Sequence, residues 1–279
     1  MKKFEGILFC TDLDGTLYSD DKAISKQNLE AIEYFKSEGG LFTFITGRVP
    51  KISWEICNII KPNAPYGCIN GGGIYDILED KYLWKVILPE DVLELVRVVD
   101  KELPEMGIQF NTEKEIYFNK DNSAMEYFRA VTGVPNIACN YEDVTWPVLK
   151  IVFAHDNEEQ IYALMDILKN HPKAEKFDFI RSEKRLYEIL PKGVNKGSAL
   201  YKLAEILGIA RNKTIAVGDY DNDVSMLRTA GLSFAVENAV EKAKAVSDYI
   251  TVSNNNHAIA KIIEGLDKGD FTVKAEAML

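Results

Sequence analysis

The chain has 279 residues, 47% of them hydrophobic, and carries a formal net charge of -10. That length accommodates one large domain or two ordinary ones, and the apolar content disfavours disorder. The acidic balance, with no Lys/Arg run to reverse it, argues against nucleic acid and anionic membrane as partners. From the N-terminus, Met1–Glu5 leads into an apolar segment too short, and too soon broken by charge, for a signal peptide or a membrane span. No later stretch is long enough either. The four cysteines, Cys10, Cys57, Cys68 and Cys139, form no CxxC pair and fit a reduced cytoplasmic setting.

The first third reads as β-α-β-α. Ile7–Cys10 is a continuous apolar run, as expected of a strand buried on both faces. Ser25 caps a predicted helix with Leu29, Ile32 and Phe35 on one face, and Gly39-Gly40 ends it. Leu41–Ile45 is a second buried strand. A helix around Ile52, Ile56 and Ile59 stops at Lys61-Pro62, and Tyr66–Ile69 and Gly73–Leu78 read as shorter strands. From about Leu83 the texture changes. Pro89 opens a helix with Val92, Leu95, Val96 and Val99 on one face, and Gly107–Phe110 and Ile116–Phe118 read as a hairpin. A short helix near Met125 follows, then a strand at Val148–Ala154, a helix with Ile161, Leu164 and Leu168 on one face, and a strand pair at Phe177–Ile180 and Leu186–Leu190. The last third returns to an α/β rhythm. It has a helix at Lys196–Leu207, a strand at Thr214–Val217, a helix from Asn222 to Ala230, a strand near Ser233–Val236, a helix near Ala239, a strand at Tyr249–Val252 and a final helix from His257. The pattern predicts an α/β fold. A Rossmann-like parallel-sheet core (1–83 and 187–279) carries a smaller inserted α+β domain (84–186).

Ligands of a parallel α/β sheet bind beyond the carboxyl ends of its strands. Three apolar runs are followed at once by compact polar segments: Thr11-Asp12-Leu13-Asp14-Gly15-Thr16, Thr46-Gly47-Arg48, and Gly218-Asp219-Tyr220-Asp221-Asn222-Asp223. If those strands are neighbours, at least four carboxylates meet at one edge. Like charges so close raise one another's pKa or demand a cation. A hard, oxygen-liganded ion such as Mg²⁺ is the expected answer, because no Cys or His accompanies the acids.

These residues resemble the haloacid dehalogenase-like superfamily, specifically the Cof-type phosphatases with a large C2 (type IIB) cap inserted late in the chain. Asp12–Leu17 looks like the first motif, Thr46-Gly47-Arg48 the second, Lys196 within Lys192–Gly197 the third, and Gly218-Asp219 with Asn222-Asp223 the fourth. Asn70-Gly71-Gly72 and Ala235–Ala239 also sit where the family places similar segments. The resemblance implies Asp12 as nucleophile and Asp14 as the acid and base for leaving oxygen and water. It implies Mg²⁺ held by Asp12, the Asp14 carbonyl and Asp219, with Asp223 in support. Thr46 would bind the phosphate with Gly47 and Arg48 beside it, and Lys196 would neutralise its charge. Tyr220, where serine is frequent, and Tyr18, where an aliphatic residue is usual, depart from the family pattern.

Some roles stay open at this level. Asn222 either bonds substrate phosphate or orients Asp219; Arg48 either contacts ligand or pairs with an acid; Asn70 with Gly71–Gly73 either shapes the substrate side of the site or is a plain turn. His155, His171 and His257 are scattered and read as structural or surface residues. The expected function is hydrolysis of small phosphate monoesters (sugar phosphates, nucleotides or phosphorylated cofactors) through an aspartyl-phosphate. The expected partner is a small phosphorylated metabolite, and the expected assembly is a monomer or small homo-oligomer. Two other readings compete: a sugar phosphomutase of the same superfamily, and a non-enzymatic phosphate-binding regulator. The tail from Asp267 to Leu279 has no assigned role, and Phe271, Val273, Met278 and Leu279 are its candidates for docking on the core or on a partner.

Overall fold

Leu8, Phe9 and Cys10 are fully buried, as a strand sandwiched between helical layers requires. They form β1 (Leu8–Thr11) in a computed structural model that describes residues 2–140, 143, 144 and 147–271. In chain order follow α1 (Lys26–Ser37), β2 (Leu41–Phe44), α2 (Trp54–Ile60), β3 (Tyr66–Cys68), β4 (Gly73–Asp76), β5 (Lys81–Lys85), α3 (Val92–Glu102), β6 (Gly107–Thr112), β7 (Ile116–Lys120), α4 (Ser123–Thr132), β8 (Ile137–Ala138), β9 (Val148–Ala154), α5 (Glu158–Lys169), β10 (Phe177–Glu183), β11 (Leu186–Pro191), α6 (Lys196–Leu207), β12 (Thr214–Gly218), α7 (Val224–Thr229), β13 (Leu232–Ala235), α8 (Glu241–Val246), β14 (Tyr249–Ile250) and α9 (Ala258–Lys268).

The chain divides into two units. The first comprises Met1–Arg48, Ser53–Trp84 and Asn195–Leu279; the second comprises Val49–Ile52 and Lys85–Val194. The first is built on a parallel five-stranded sheet of order β14-β13-β12-β1-β2. In it β1 lies between strands from opposite ends of the chain: Leu8 pairs with Thr214 of β12 and with Leu41 of β2. Helices α1 and α9 pack together, and the buried Asn28 of α1 accepts the Ala260 N–H near the start of α9 at 3.0 Å. At the sheet edge Phe271 docks on Phe234 and Tyr249, with ring centroids 4.8 and 5.0 Å away. Val273, Met278 and Leu279 of the same tail lie outside the described residues.

The second unit is a six-stranded sheet of order β10-β11-β9-β6-β7-β8, antiparallel except for the β7–β8 pair. The apolar stripes of α3 (Val92, Leu95, Val96, Val99) and α5 (Ile161, Leu164, Leu168) pack on Ile108, Phe110, Ile151 and Phe153 of its strands. An α/β parallel core with an inserted α+β unit is thus the architecture. The sequence reading ended the insert at 186, inside a hairpin. Leu186 opens β11, whose register with β9 and β10 carries the second unit to Val194. The helix read from Asn222 begins as a 3₁₀ turn at Asp221–Asp223 and becomes α-helical at Val224. No helix among the described residues is long and apolar enough to cross a membrane.

Candidate active site

Adjacency of β12, β1 and β2 brings the three polar segments to one sheet edge. The Asp12 N–H donates to the Val217 carbonyl at 2.9 Å, and the Thr46 N–H to the Gly67 carbonyl at 3.0 Å. The first two segments therefore continue past their strands by one bond before turning away. Asp12, Asp219 and Asp223 each present a carboxylate oxygen, all within 4.8 Å of one another. Lys196, the first residue of α6, is fully buried among them. Its Nζ donates to Asp12 Oδ1 and to Asp223 Oδ1, both at 2.6 Å. The helix start is fixed by a capping box, in which Asn195 Oδ1 accepts the Ser198 N–H and Ser198 Oγ accepts the Asn195 N–H.

Asp223 uses both oxygens internally. While Oδ1 takes the lysine, Oδ2 accepts the N–H groups of Asp219 and Tyr220 at 2.9 and 3.0 Å. It clasps the loop that presents Asp219. On the other side, Thr16 Oγ1 donates to Asp219 Oδ1 at 2.8 Å. Gly15 lies against the same carboxylate at φ +78°, and a Cβ there would stand 2.5 Å from Asp219 Oδ2. Only glycine combines that backbone angle with that approach. The Gly15 carbonyl is held by Asn238 Nδ2 at 2.8 Å.

One lysine against three carboxylates leaves negative charge in excess. Burial, aided by the charge of Asp223, pushes the Asp12 carboxyl up to about 7; burial with Asp223 and Asp12 pushes Asp219 up to about 8. The same carboxylates hold the Lys196 ammonium above its ordinary value although burial works against it. All-oxygen donors with such raised pKa values fit a hard divalent cation. Among the described residues, no Cys or His joins the trio.

Asp14 lies apart from the trio. Arg48 donates to it through Nη2 at 3.0 Å to both oxygens and through Nε at 3.3 Å, and Lys22 Nζ donates at 3.0 Å. Burial raises its pKa, but the Arg48 and Lys22 charges outweigh that and hold the carboxyl below the usual range. Arg48 thus takes the ion-pair option, and its guanidinium lies over the Tyr18 ring, 5.4 Å from the centroid. Tyr18 is a platform for this arginine.

Thr46 Oγ1 accepts the Arg48 N–H at 3.2 Å, closing the turn around Gly47. Ile69 and Asn70 both take left-handed angles, φ 58° and 51°, which a β-branched residue rarely tolerates. The strain is held by the Ile69 N–H to the Arg48 carbonyl and the Asn70 N–H to the Thr46 carbonyl, each 3.0 Å. It sets the buried Asn70 side chain to accept Asn222 Nδ2 at 3.0 Å, leaving Asn222 Oδ1 buried without a partner. Asn70 is therefore part of the site framework. The sequence reading gave Thr16 and Asn238 no role, although both sit in quoted motif segments, and it missed Lys22, which lies in an aperiodic polar run without signal. His155 and His171 accept local N–H groups through Nδ1, and His257 precedes α9 at positive φ.

Residues 9–263 match the sequence model of the haloacid dehalogenase-like hydrolases. The chain is 29% identical over 286 residues to the 5-amino-6-(5-phospho-D-ribitylamino)uracil phosphatase YwtE of Bacillus subtilis, spanning 93% of this chain and 98% of that one. It is 26% identical to a haloacid dehalogenase-like hydrolase from Bacteroides thetaiotaomicron, whose crystal structure covers 92% of this chain and 98% of its own with a TM-score of 0.80. At 22% identity it shares the fold of a subclass IIB sugar phosphatase of the same superfamily, with a TM-score of 0.81 over 94% of this chain and 99% of that one.

Proposed function

The chain belongs to the haloacid dehalogenase-like hydrolase family, and from that premise we propose that it is a Mg²⁺-dependent phosphatase that transfers the phosphoryl group of a small monoester to Asp12 and then to water. The observation that carries this reading is the state of Asp12. One oxygen is fixed by Lys196 at 2.6 Å while the carboxylate shares a buried cluster with Asp219 and Asp223.

In the first step the other Asp12 oxygen attacks phosphorus. The Asp12 O–P bond forms as the bond from phosphorus to the leaving oxygen breaks, and Asp14 donates the proton that oxygen needs. In the second step water attacks phosphorus while Asp14 takes a proton from it. The Asp12 O–P bond breaks, and inorganic phosphate and the free carboxylate are restored. Lys196 offsets phosphoryl charge, and Thr46, Gly47 and Asn222 supply hydrogen bonds to its oxygens. Asp12, the Asp14 carbonyl and Asp219, backed by Asp223, would hold Mg²⁺, which when bound offsets carboxylate charge and polarises the phosphoryl group. Ionised against Arg48 and Lys22, Asp14 has no proton to give, so its role as acid requires it to leave these cations.

The Bacillus subtilis relative is named for a small phosphorylated ribitylamino compound. That name supports a small phosphorylated metabolite as substrate: a sugar phosphate, nucleotide or phosphorylated cofactor. Phosphate release from a panel of such esters, with Mg²⁺ and with chelator, tests the reading. Wild type should release phosphate only with metal, and Asp12→Asn should lower the rate by at least ~10³-fold. Metal-independent release, or an Asp12→Asn protein as active as wild type, refutes it.

A further inference from the structure

Within the first unit, a chain of hydrogen bonds runs from the segment before α9 to the turn that carries Asp14. Asn254 opens a 3₁₀ turn at Asn254–Asn256 and is 4% exposed. Its Nδ2 donates to the Tyr18 carbonyl at 3.1 Å and to Asp20 Oδ1 at 3.0 Å. Its N–H donates to Asn238 Oδ1 at 2.9 Å, and Asn238 Nδ2 in turn donates to the Gly15 carbonyl at 2.8 Å. One buried residue thus holds Gly15, the neighbour of Asp14, and also Tyr18, whose N–H closes the turn on the Leu13 carbonyl at 2.9 Å. The support behind Asn254 is itself fixed. The Asn256 N–H donates to the Ser253 carbonyl at 2.9 Å, and α9 is tied to α1 through Asn28.

The stretch so held is not regular helix: Asp14 has φ −75° and ψ 122°, and Gly15 has φ 78° and ψ −3°. A backbone of that shape lacks a helical ladder and keeps its form through partners outside it. The Asn254 amide fits one way round, because turning it over sets an oxygen against the Tyr18 carbonyl and Asp20. In that orientation Oδ1 is buried with no partner among the described residues. An unmet buried acceptor costs stability. Stability alone therefore does not account for an asparagine here, whereas a grip on the Asp14 turn does.

We propose that Asn254, acting through Asn238 and the Tyr18 carbonyl, is a positioning residue for Asp14. The proposal rests on the phosphatase reading, in which Asp14 leaves Arg48 and Lys22 to protonate the leaving oxygen. For that the side chain must turn while its backbone stays in place. Holding Gly15 and Tyr18 confines the movement to the side chain. Tyr18 also carries Arg48, so the same grip keeps in place the cation that Asp14 leaves and returns to. Asp12 is held separately, by the Val217 carbonyl and by Lys196. Loosening the grip therefore misdirects the proton and spares the nucleophile.

The signature is a dependence on the leaving group. p-Nitrophenolate departs readily without a proton, whereas phenolate, of nearly the same shape, departs poorly unless protonated. kcat/KM for p-nitrophenyl phosphate and for phenyl phosphate, measured on the full chain with Mg²⁺, reports the transfer to Asp12. In Asn254→Ala and in Asn238→Ala the value for phenyl phosphate should fall about tenfold or more, and that for p-nitrophenyl phosphate less than about threefold, since a misplacement of about 1 Å weakens a catalytic group strongly. Asn255→Ala, which loses only contacts to Asp20, should leave the ratio of the two esters unchanged. Equal losses on both esters, a change confined to Mg²⁺ affinity, or variants that melt lower with the ratio unchanged overturn the proposal, because Asn254 then serves the fold or the metal. If Asn254→Ala does not fold, Asn238→Ala, at an exposed position, carries the test, and an unchanged ratio there overturns the proposal. If wild type cleaves neither ester, the phosphatase reading fails and this proposal with it; if it cleaves both and the ratio does not move in the variants, this proposal fails alone.

Discussion

Replacing Lys196 by Met keeps most of the aliphatic stem and removes the ammonium. In the metal-free protein this strips the cation from Asp12 and Asp223, each 2.6 Å from Nζ, at a position with no solvent exposure. Removing one partner of a buried ion pair costs about 3–5 kcal/mol, because the other charge stays buried unmatched. The carboxyls have an escape in protonation, and its sign follows from the direction of their shift. Asp12 is already pushed up to about 7 by burial and by Asp223, and losing the lysine drives it higher. A native carboxyl whose pKa exceeds its unfolded value binds more protons than the unfolded chain, so its stability contribution falls as pH rises through that interval. The gap between variant and wild type should therefore be widest near about pH 8 and shrink on acidification by up to about 1.4 kcal/mol per pH unit for one proton. Urea unfolding with chelator at about pH 6, 7 and 8 measures it. A full loss corresponds to a melting point roughly 10 °C lower. A gap that is constant with pH, that widens on acidification, or that is absent near pH 8 refutes the claim that Lys196 balances buried carboxylates.

Other outcomes follow from the same geometry. Because burial and neighbouring carboxylates push Asp12 up to about 7 and Asp219 up to about 8, the metal-free native state holds protons that the unfolded chain releases at lower pH. Its stability falls as pH rises from the ordinary carboxyl range through those values, while a bound cation requires the ionised forms. The rise in melting temperature on adding excess Mg²⁺ should be larger near about pH 8 than near about pH 6, and an equal or smaller rise at the higher pH contradicts the electrostatic account. Gly15→Ala puts a Cβ at φ +78°, 2.5 Å from Asp219 Oδ2; a destabilisation of about 1–2 kcal/mol and weaker metal binding are expected, read by urea midpoint and by Mg²⁺ titration. Asn195→Ala removes the cap of α6 and should cost about 1 kcal/mol. Since that cap also fixes where Lys196 emerges, phosphate release should fall with it, and unchanged activity would separate cap from catalysis.

The strands of the parallel core were legible because a strand buried on both faces is apolar along nearly its whole length, as Leu8–Cys10 is throughout and Leu41–Phe44 is except at Thr43. The start of α6 at Lys196 was legible too, since Asn, Gly and the apolar spacing beyond them speak locally. Strands with exposed or few residues carry no such signal, so β5 and the two-residue β8 went unread. Clustered carboxylates in Asp12–Asp14 and Asp219–Asp223 raised the expectation of a cation by composition alone. Their meeting required β1 to lie beside β12, about two hundred positions away, which is a fact of strand pairing. Only the tertiary structure sets Asp14 on Arg48 and Lys22, Tyr18 beneath Arg48, and the lysine between Asp12 and Asp223. Sequence determines which chemistry a segment can offer, through local periodicity and residue type. Which groups share a site, and with what protonation, is decided by burial and by neighbours that are distant in the chain.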